Sequence, residues 1–210
     1  GTRAAVVISA SREDAEGAAI KTAILQAARP YTMRIVGPNC LGVMVPAIGL
    51  NASFAHLPPL RGRLAFVTQS GAIVTSMIDW AQSRDIGFSH VVSLGDMSDV
   101  DIGDMLDFLA NDGGTDAILL YIEGISGARK FVSAARAAAR TKPVIVVKGG
   151  RFAAGARAAA THTGAMMGRD EVYEAVFRRT GMVRVYTLQE LFNAAETLSQ
   201  LEPILERYVS

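Results

Sequence analysis

The chain has 210 residues, of which half are hydrophobic and a fifth are charged; this composition is typical of a globular enzyme and leaves room for one large domain, or for one domain and part of another. Its 21 basic and 20 acidic residues leave a formal charge of +1, which argues against a surface dedicated to nucleic acid or to a membrane. No apolar stretch of the sequence is long enough to span a bilayer.

The single cysteine and the first residues each carry an expectation. Cys40 has no second cysteine with which to form an internal disulfide, which favours a reducing compartment, the cytoplasm. The chain starts at Gly1, has no initiator methionine and enters an apolar run at Ala4. We therefore expect a piece of a longer polypeptide that starts in the middle of a domain.

Short apolar runs rich in β-branched residues alternate with longer segments of helical periodicity. The predicted strands are 4–9, 33–36, 64–68, 88–94, 117–122, 144–148 and 182–185, and the predicted helices are 13–29, 72–84, 102–110, 127–140, 170–180 and 188–201. Asp99 and Asp101 suit a cap of the third helix, and Thr187 suits a cap of the last. Continuous apolar strands that alternate with helices predict an α/β fold with a doubly wound parallel sheet of the flavodoxin-like type.

One stretch interrupts this alternation. Residues 37–62 contain four prolines and show neither strand nor helix periodicity, so we predict an irregular segment and a domain boundary there. Two strands and one helix precede it, which is too little for a domain. Five strands and five helices follow it, which is enough for a complete flavodoxin-like unit.

A serine and a glycine stand where a predicted strand meets a predicted helix, in residues 68–72 (Thr-Gln-Ser-Gly-Ala). The first N–H groups of a helix have no partner within the helix, and the helix dipole adds partial positive charge. This junction is therefore a candidate anion site, above all for phosphate. An ordinary helix N-cap explains the same spacing. The glycine pattern of a nucleophile elbow and the ending of a nucleotide-hydrolase phosphate loop are both missing.

Glu123 follows directly on an apolar strand. The carboxyl ends of parallel strands are where ligands collect in open α/β sheets. A carboxylate there can accept a hydrogen bond from an imidazole N–H and leave the other ring nitrogen free to attack. A solvated loop acid is the alternative interpretation of the same position.

His162 lies among small residues, in residues 161–165 (Thr-His-Thr-Gly-Ala). A histidine on a mobile loop can be phosphorylated in one place and discharged in another, so His162 is a candidate nucleophile, with a merely exposed histidine as the alternative. We expect His56 and His90 to be structural or exposed.

Residues 37–42 (Gly-Pro-Asn-Cys-Leu-Gly) can build a rigid turn whose backbone approaches a ligand closely. Cys40 has no identifiable histidine partner, so we expect a small buried thiol rather than a nucleophile. An acidic run lies further along the chain; its spacing does not fit a calcium loop, and a capped, solvated helix start is the favoured interpretation. This run comprises Asp96, Asp99, Asp101, Asp104 and Asp107.

Four of these segments carry a resemblance to a known family: residues 37–42, residues 68–72, the strand end at Glu123 and residues 161–165. In this order along the chain, they resemble the NDP-forming (ADP-forming) acyl-CoA synthetases, relatives of the succinyl-CoA synthetase α subunit. The resemblance covers essentially the whole chain. It implies that residues 1–57 are the C-terminal part of a Rossmann-like CoA-binding domain with a linker. Residues 58–186 would be the flavodoxin-like domain with the phosphohistidine loop, and residues 187–210 a C-terminal helix or linker.

The resemblance also implies a reaction and site residues. Acyl-CoA, phosphate and ADP would be interconverted with acid, CoA and ATP through an acyl phosphate and a phosphohistidine, with acetate as the expected acid. The catalytic residues would be His162, which carries the phosphoryl group, and Glu123, which orients its imidazole. The phosphate-binding residues would be Ser70, Gly71, Ala72 and Gly164, and the CoA-binding residues would be Pro38, Asn39 and Cys40; no protein-bound metal is implied in this chain.

The same family implies CoA as a cofactor, together with ATP or ADP and Mg²⁺ bound by an ATP-grasp domain or subunit that this chain lacks. It also implies a small carboxylic acid substrate, an oligomeric assembly, and no nucleic-acid or membrane partner. Part of the sequence, from Asp79 to Asn111, resembles a subgroup fused to a GCN5-type lysine acetyltransferase domain. A non-catalytic acyl-CoA sensor of such an acetyltransferase is therefore the rival interpretation. A flavodoxin-like flavin binder is a third, and it predicts a yellow protein.

Overall fold

The computed structural model describes residues 1–10, 14–150 and 169–209, with residues 201–209 described as backbone only. Strands and helices alternate from residue 61 onward as the sequence predicts, whereas residues 34–68 contain four strands with no α-helix between them. The strands are β1 (Ala4–Val6), β2 (Arg34–Val36), β3 (Gly42–Val45), β4 (Leu50–Ser53), β5 (Arg61–Thr68), β6 (Phe88–Ser93), β7 (Ala117–Ile122), β8 (Val144–Lys148) and β9 (Val183–Val185). The helices are α1 (Ala15–Ala28), α2 (Gly71–Gln82), α3 (Ile102–Asn111), α4 (Ala128–Ala138), α5 (Asp170–Thr180) and α6 (Leu188–Val209).

The larger sheet has seven strands in the order β4-β3-β6-β5-β7-β8-β9. The five strands from β6 to β9 in this order run parallel to one another. Numbered along the chain, these five have the spatial order 2-1-3-4-5 of flavodoxin-like proteins. The predicted fold class is therefore confirmed.

Helices cover both faces of this sheet, which explains why its central strands are continuous apolar runs. On one face, Phe66 and Leu119 pack with residues of α2 and α6, including Leu191. On the other face, Val67 and Leu120 pack with residues of α3, α4 and α5. Helices α2 and α4, which follow the neighbouring strands β5 and β7, therefore lie on opposite faces.

Side-chain caps fix two of the helix starts that the sequence predicts. The Asp101 carboxylate accepts a hydrogen bond from the Asp104 N–H, and the Asp104 carboxylate accepts one from the Asp101 N–H, each at 3.0 Å. This capping box satisfies two backbone donors at the start of α3. At the start of α6, the Thr187 hydroxyl accepts a hydrogen bond from the Glu190 N–H at 3.1 Å.

The prediction that residues 37–62 are irregular is wrong for residues 42–53, which form a β-hairpin. Strand β3 pairs antiparallel with β4 and, on its other side, with β6 of the larger sheet. Met44 of β3 is 1% exposed and belongs to the core. The prolines mislead because Pro46 starts the 3-10 turn Pro46–Ile48 between the two strands instead of interrupting either one. The predicted division at residues 57 and 58 falls after this hairpin and remains a prediction.

The acidic run is capped, as predicted, but several of its members are paired rather than solvated. Asp99 accepts hydrogen bonds from the Arg34 side chain at 3.0 Å and from the Ile35 N–H at 2.7 Å. The Asp96 carboxylate lies 2.6 Å from the Lys21 ammonium. These acids join the two-stranded sheet β1–β2 and helix α1 to the larger sheet. The carboxylates of Asp96 and Asp99 thus form ion pairs and hydrogen bonds between different elements, which sequence spacing alone does not show.

The two other histidines behave as expected. His56 is exposed and lies 2.6 Å from the Asp79 carboxylate. The side chain of His90 is 12% exposed, and burial lowers the pKa of its imidazole, an effect that the nearby Asp112 opposes. Neither lies at the carboxyl edge of the parallel strands.

Candidate active site

The carboxyl ends of β5 and β7 lie side by side at the switch point of the sheet, on either side of which successive strands are added in opposite directions. The helix after β5 crosses to one face and the helix after β7 crosses to the other. Such a switch point opens a crevice beyond the strand ends, where open α/β sheets bind their ligands. Ser70 follows β5 and Glu123 follows β7, so the topology brings these two predicted site residues to one crevice.

Helix α2 starts at this crevice without a side-chain cap. Ser70 occupies the N-cap position in an extended conformation, and its hydroxyl makes no capping hydrogen bond. The Ser70 N–H is satisfied by the Thr68 hydroxyl at 3.0 Å. The interpretation as an ordinary serine N-cap therefore fails for the hydroxyl. The N–H groups of the first turn, beginning with Gly71 and Ala72, remain suited to an anion.

Gly71 is where the start of α2 touches the segment 37–42. A Cβ atom added to Gly71 would lie 3.2 Å from the Cβ atom of Leu41. The Leu41 N–H in turn donates to the Ser93 hydroxyl at the end of β6, at 3.0 Å. The glycine thus allows a close approach of helix start and loop that a larger side chain would push apart.

The segment 37–42 forms a tight turn that lies against this edge. Gly37 has φ +98°, and an added Cβ would lie 2.3 Å from the Val7 carbonyl oxygen, so only glycine fits. Asn39 is exposed, and its amide donates to the Asp96 carboxylate at 3.1 Å. Cys40 is 2% exposed, and burial raises the pKa of its thiol. The prediction of a small buried thiol is confirmed; of the three predicted CoA-binding residues, only Asn39 presents its side chain to solvent.

Glu123 is half-buried, and its backbone is held by the side chain of Gln69, the residue that follows β5. The Gln69 side-chain oxygen accepts hydrogen bonds from the N–H groups of Glu123 and Gly124, at 2.6 and 2.9 Å. The interpretation of Glu123 as a solvated loop acid is therefore incomplete, since its position is fixed relative to the start of α2. The sequence analysis missed this role of Gln69, although the residue lies within the run that it singled out.

Lys148 is a charged residue at the same edge that the sequence analysis also missed. It ends β8, stands in register with Ile122 of β7, and is 6% exposed. Its ammonium donates to the Gly149 carbonyl oxygen and lies 4.8 Å from the centre of the Tyr173 ring. Burial lowers the pKa of Lys148, while the carboxylates of Asp170 and Glu123 oppose that effect. A charged residue at the carboxyl end of an apolar strand is a local signal that Lys148, the last residue of β8, shares with Glu123, the residue after β7.

His162 and Gly164 lie outside the described residues, so their places rest on the sequence alone. On the N-terminal side of that stretch, Lys148 stands in register with Ile122, the residue before Glu123. Strand β8 ends at Lys148, and α5 begins at Asp170, whose carboxylate lies 2.5 Å from the Arg184 guanidinium. Asp170 and Glu123 both act on the pKa of Lys148, which each of them raises against the effect of burial.

Two further properties of the described residues concern ligands and membranes. Within residues 1–10, 14–150 and 169–200, no three His, Cys, Asp or Glu side chains are grouped so as to hold a metal ion. None of the helices in the described part of the chain combines the length and the apolar character that a bilayer crossing requires.

Comparison with known proteins identifies close relatives. The chain is 44% identical over 193 residues to the ADP-forming acetate–CoA ligase I of Archaeoglobus fulgidus, covering 91% of this chain and 28% of that protein. It is 43% identical over 186 residues to the α subunit of the ADP-forming acetate–CoA ligase I of Pyrococcus furiosus, covering 89% and 40%. The chain thus spans less than half the length of either relative.

A solved structure gives the same result for the fold. The dinucleotide forming acetyl-coenzyme A synthetase 1 of Ca. Korarchaeum cryptofilum, in complex with phosphate and ADP, superposes with a TM-score of 0.87 at 35% identity. The match covers 94% of this chain and 43% of that one. Residues 61–198 also match the model of the succinyl-CoA ligase-like flavodoxin domain. The chain, with its 2-1-3-4-5 parallel sheet and its crevice between β5 and β7, therefore belongs to the succinyl-CoA ligase-like flavodoxin domain family.

Proposed function

We propose that the chain is the central part of an ADP-forming acyl-CoA synthetase, with acetate as the acid. The enzyme interconverts acyl-CoA, phosphate and ADP with acid, CoA and ATP. The observation that carries the proposal is the pairing of Glu123 with the start of α2 across the switch point, through Gln69. Identity of 38–44% to several ADP-forming acetate–CoA ligases supports it.

The reaction begins when an oxygen of inorganic phosphate attacks the thioester carbonyl carbon of acyl-CoA; a C–O bond forms, the C–S bond breaks, and CoA leaves behind an acyl phosphate. Two phosphoryl transfers at His162 follow. A neutral imidazole nitrogen attacks the phosphorus of the acyl phosphate; an N–P bond forms, and the P–O bond to the leaving carboxylate breaks. Glu123 accepts a hydrogen bond from the other ring N–H and stabilises the positive charge that develops on the ring. In the second transfer an ADP oxygen attacks the same phosphorus, and the N–P bond breaks. Each step needs positioning and charge neutralisation rather than further covalent help.

The start of α2 supplies the charge neutralisation. The N–H groups of Gly71 and Ala72, the Ser70 hydroxyl and Gly164 hold the phosphoryl oxygens. A helix N-terminus offers partial positive charge without a side chain that must move, worth about 1–2 kcal/mol in a partly buried site. Asn39 and the backbone of Pro38 and Cys40 lie beside the pantetheine arm of CoA, since the Cys40 thiol itself is buried.

The rest of the enzyme lies outside this chain. Residues 1–57 are the C-terminal part of a Rossmann-like CoA-binding domain with its linker, and residues 58–186 carry the phosphohistidine segment. Residues 187–210, the start of which packs into the core through Leu191, form a C-terminal helix or linker. An ATP-grasp domain or subunit binds ATP or ADP with Mg²⁺, which supplies charge neutralisation for the nucleotide phosphates, and the whole assembles as an oligomer.

A larger residue at position 71 is expected to shorten the life of the phosphohistidine. In Gly71→Val, the new side chain must displace Leu41 or the helix start, because a Cβ there already lies 3.2 Å from Leu41. Hydrolysis of the isolated phosphoenzyme should accelerate about tenfold, as expected for the loss of roughly 1–2 kcal/mol of phosphate binding. Ser76→Val, one turn further along the exposed side of α2, is the matched control. Equal lifetimes in both variants would exclude the start of α2 as the phosphate site.

A turnover assay tests the proposed function as a whole. We expect the full-length protein, incubated with acetate, CoA and magnesium ATP, to release acetyl-CoA, ADP and phosphate. Acetyl-CoA formation can be followed by chromatography, and the reverse reaction by ATP synthesis. Binding of acyl-CoA without any turnover would instead favour the acyl-CoA sensor of a protein attached to a GCN5-type acetyltransferase.

A further inference from the structure

Gln69 lies between β5 and α2, and neither element needs a glutamine there for its own secondary structure. It follows the last paired residue of β5, Thr68, and precedes the N-cap of α2, Ser70. Its side chain is half-buried and turns toward β7, the strand that carries Glu123.

The Gln69 side chain continues the pairing of β5 and β7 past the end of β5. The last register pair joins Thr68 to Tyr121, and the Gln69 N–H still donates to the Tyr121 carbonyl oxygen at 3.3 Å. Beyond that point the backbone of β5 turns into α2, so β7 loses its neighbouring carbonyl groups. The Gln69 amide oxygen replaces them by accepting from the N–H groups of both Glu123 and Gly124.

The hydrogen bonds also define which end of the amide faces β7. Two N–H donors converge on one atom at 2.6 and 2.9 Å, so that atom must be the oxygen. A side chain of this length with a terminal sp² oxygen is needed, which leaves glutamine and glutamate as the residues that fit. Without it, two half-buried N–H groups lose their acceptor, which carries an energetic cost.

The consequence reaches the proposed site because Gln69 is attached to both of its parts. Its backbone leads directly into the first turn of α2, and its side chain holds the backbone of Glu123. Gly124 follows Glu123, and Gly127 lies only three residues later, so the backbone of the segment after β7 is conformationally permissive. Displacement of a catalytic group by about 1 Å can cost 10²-fold in rate.

We propose that Gln69 is a positioning residue of the phosphoryl-transfer site, which sets the distance and direction of Glu123 relative to the start of α2. This inference rests on the proposed function of Glu123 and His162. Gln69 acts through the Glu123 backbone and needs no contact with the phosphoryl group. Its amide is neutral, so it fixes the carboxylate without adding charge beside the anion.

The test measures single-turnover phosphorylation of the full-length protein by magnesium ATP. Gln69→Met should lower the rate per folded molecule about 10²-fold, with the KM for ATP unchanged, because the nucleotide site is elsewhere. Amide hydrogen exchange at Glu123 and Gly124 should become faster in the same variant. Gln82→Met, at the exposed C-terminal end of the same helix, should behave as the wild type in each measurement.

Two additional variants separate positioning from simple support of the fold. Gln69→Glu keeps an acceptor oxygen of the same reach, so it should fold normally and phosphorylate within about tenfold of the wild type. Combining Gln69→Met with Glu123→Gln should add little to the loss caused by Glu123→Gln alone, because both changes act on the same interaction, that of the Glu123 carboxylate with the imidazole.

The inference is overturned if Gln69→Met retains the wild-type rate per folded molecule, or if its loss multiplies fully with that of Glu123→Gln. It is also overturned if amide hydrogen exchange at Glu123 and Gly124 is as slow in Gln69→Met as in the wild type, or if it is as fast in Gln69→Glu as in Gln69→Met. Failure of the wild type to become phosphorylated would instead remove the proposed function itself, and this inference with it.

Discussion

After incubation with radiolabelled ATP and magnesium, His162→Ala should leave the full-length protein without label. The wild type should carry phosphate that is stable in base and lost in acid, the behaviour of an N–P bond to imidazole. Alanine removes the nucleophile itself, so no residual route through this site remains. We expect labelling to fall below detection, and overall acetyl-CoA formation to be lost with it.

His56→Ala provides the control, because His56 is an exposed histidine away from the crevice whose ring lies 2.6 Å from Asp79. It should be labelled as strongly as the wild type. Persistence of acid-labile label in His162→Ala would place the phosphoryl group on another residue and would end the proposal for this segment. Absence of label from the wild type, together with intact CoA binding, would support the sensor interpretation.

Glu123→Gln should have the second largest effect on phosphorylation. The substitution preserves shape but removes the negative charge, to which the proposed function assigns the orientation of the imidazole and the stabilisation of its cation. The phosphorylation rate should fall about 10²–10³-fold, the range typical of a lost acid–base partner. The free energy of unfolding should change by less than about 1 kcal/mol, because Glu123 is only half-buried and its backbone hydrogen bonds to Gln69 do not involve the carboxylate.

Rapid-quench measurement of the phosphoenzyme, with thermal unfolding of the same samples, separates these two effects. Glu171→Gln serves as the matched control, since Glu171 is an exposed glutamate in the first turn of α5. A Glu123→Gln protein that is unstable but keeps its specific activity would show that Glu123 supports the fold and does not orient His162.

Much of the fold follows from local patterns in the sequence. The central strands of the large sheet are apolar on both faces, and such runs are typical of parallel strands between two helix layers. The capping residues Asp101 and Thr187 mark helix starts, because their oxygens bond to N–H groups only three residues away. Glu123 is found in the same way, from its place directly after an apolar strand.

The hairpin of residues 42–53 shows where local patterns fail. Strands β3 and β4 have four residues each and are joined by a turn that begins at Pro46. Runs this short carry too little periodicity to be distinguished from a loop. Strand β3 is stabilised by antiparallel pairing with β6, in which Met44 stands opposite Val91, and β4 pairs in turn with β3.

Some residues of the candidate site can likewise be identified from local sequence, and others only from the tertiary structure. Its candidate nucleophile, its carboxylate and its helix start can be identified as residue types in local context. Lys148 gives a similar local signal, but only the structure shows that the charges of Asp170 and Glu123 act on it. Gln69 gives no signal of its own, because its partners lie 54 and 55 residues further along the chain.

The sequence by itself determined the type and order of the elements outside the hairpin of residues 42–53, the doubly wound class of the sheet and the residue types available at the candidate site. These depend on side-chain periodicity and on hydrogen bonds between near neighbours. Only the tertiary structure decided that the ends of β5 and β7 are adjacent, that Gln69 joins them, and that Asp99 holds β2. Such contacts arise from strand register and from the helix layers on both faces, which no short stretch of sequence encodes.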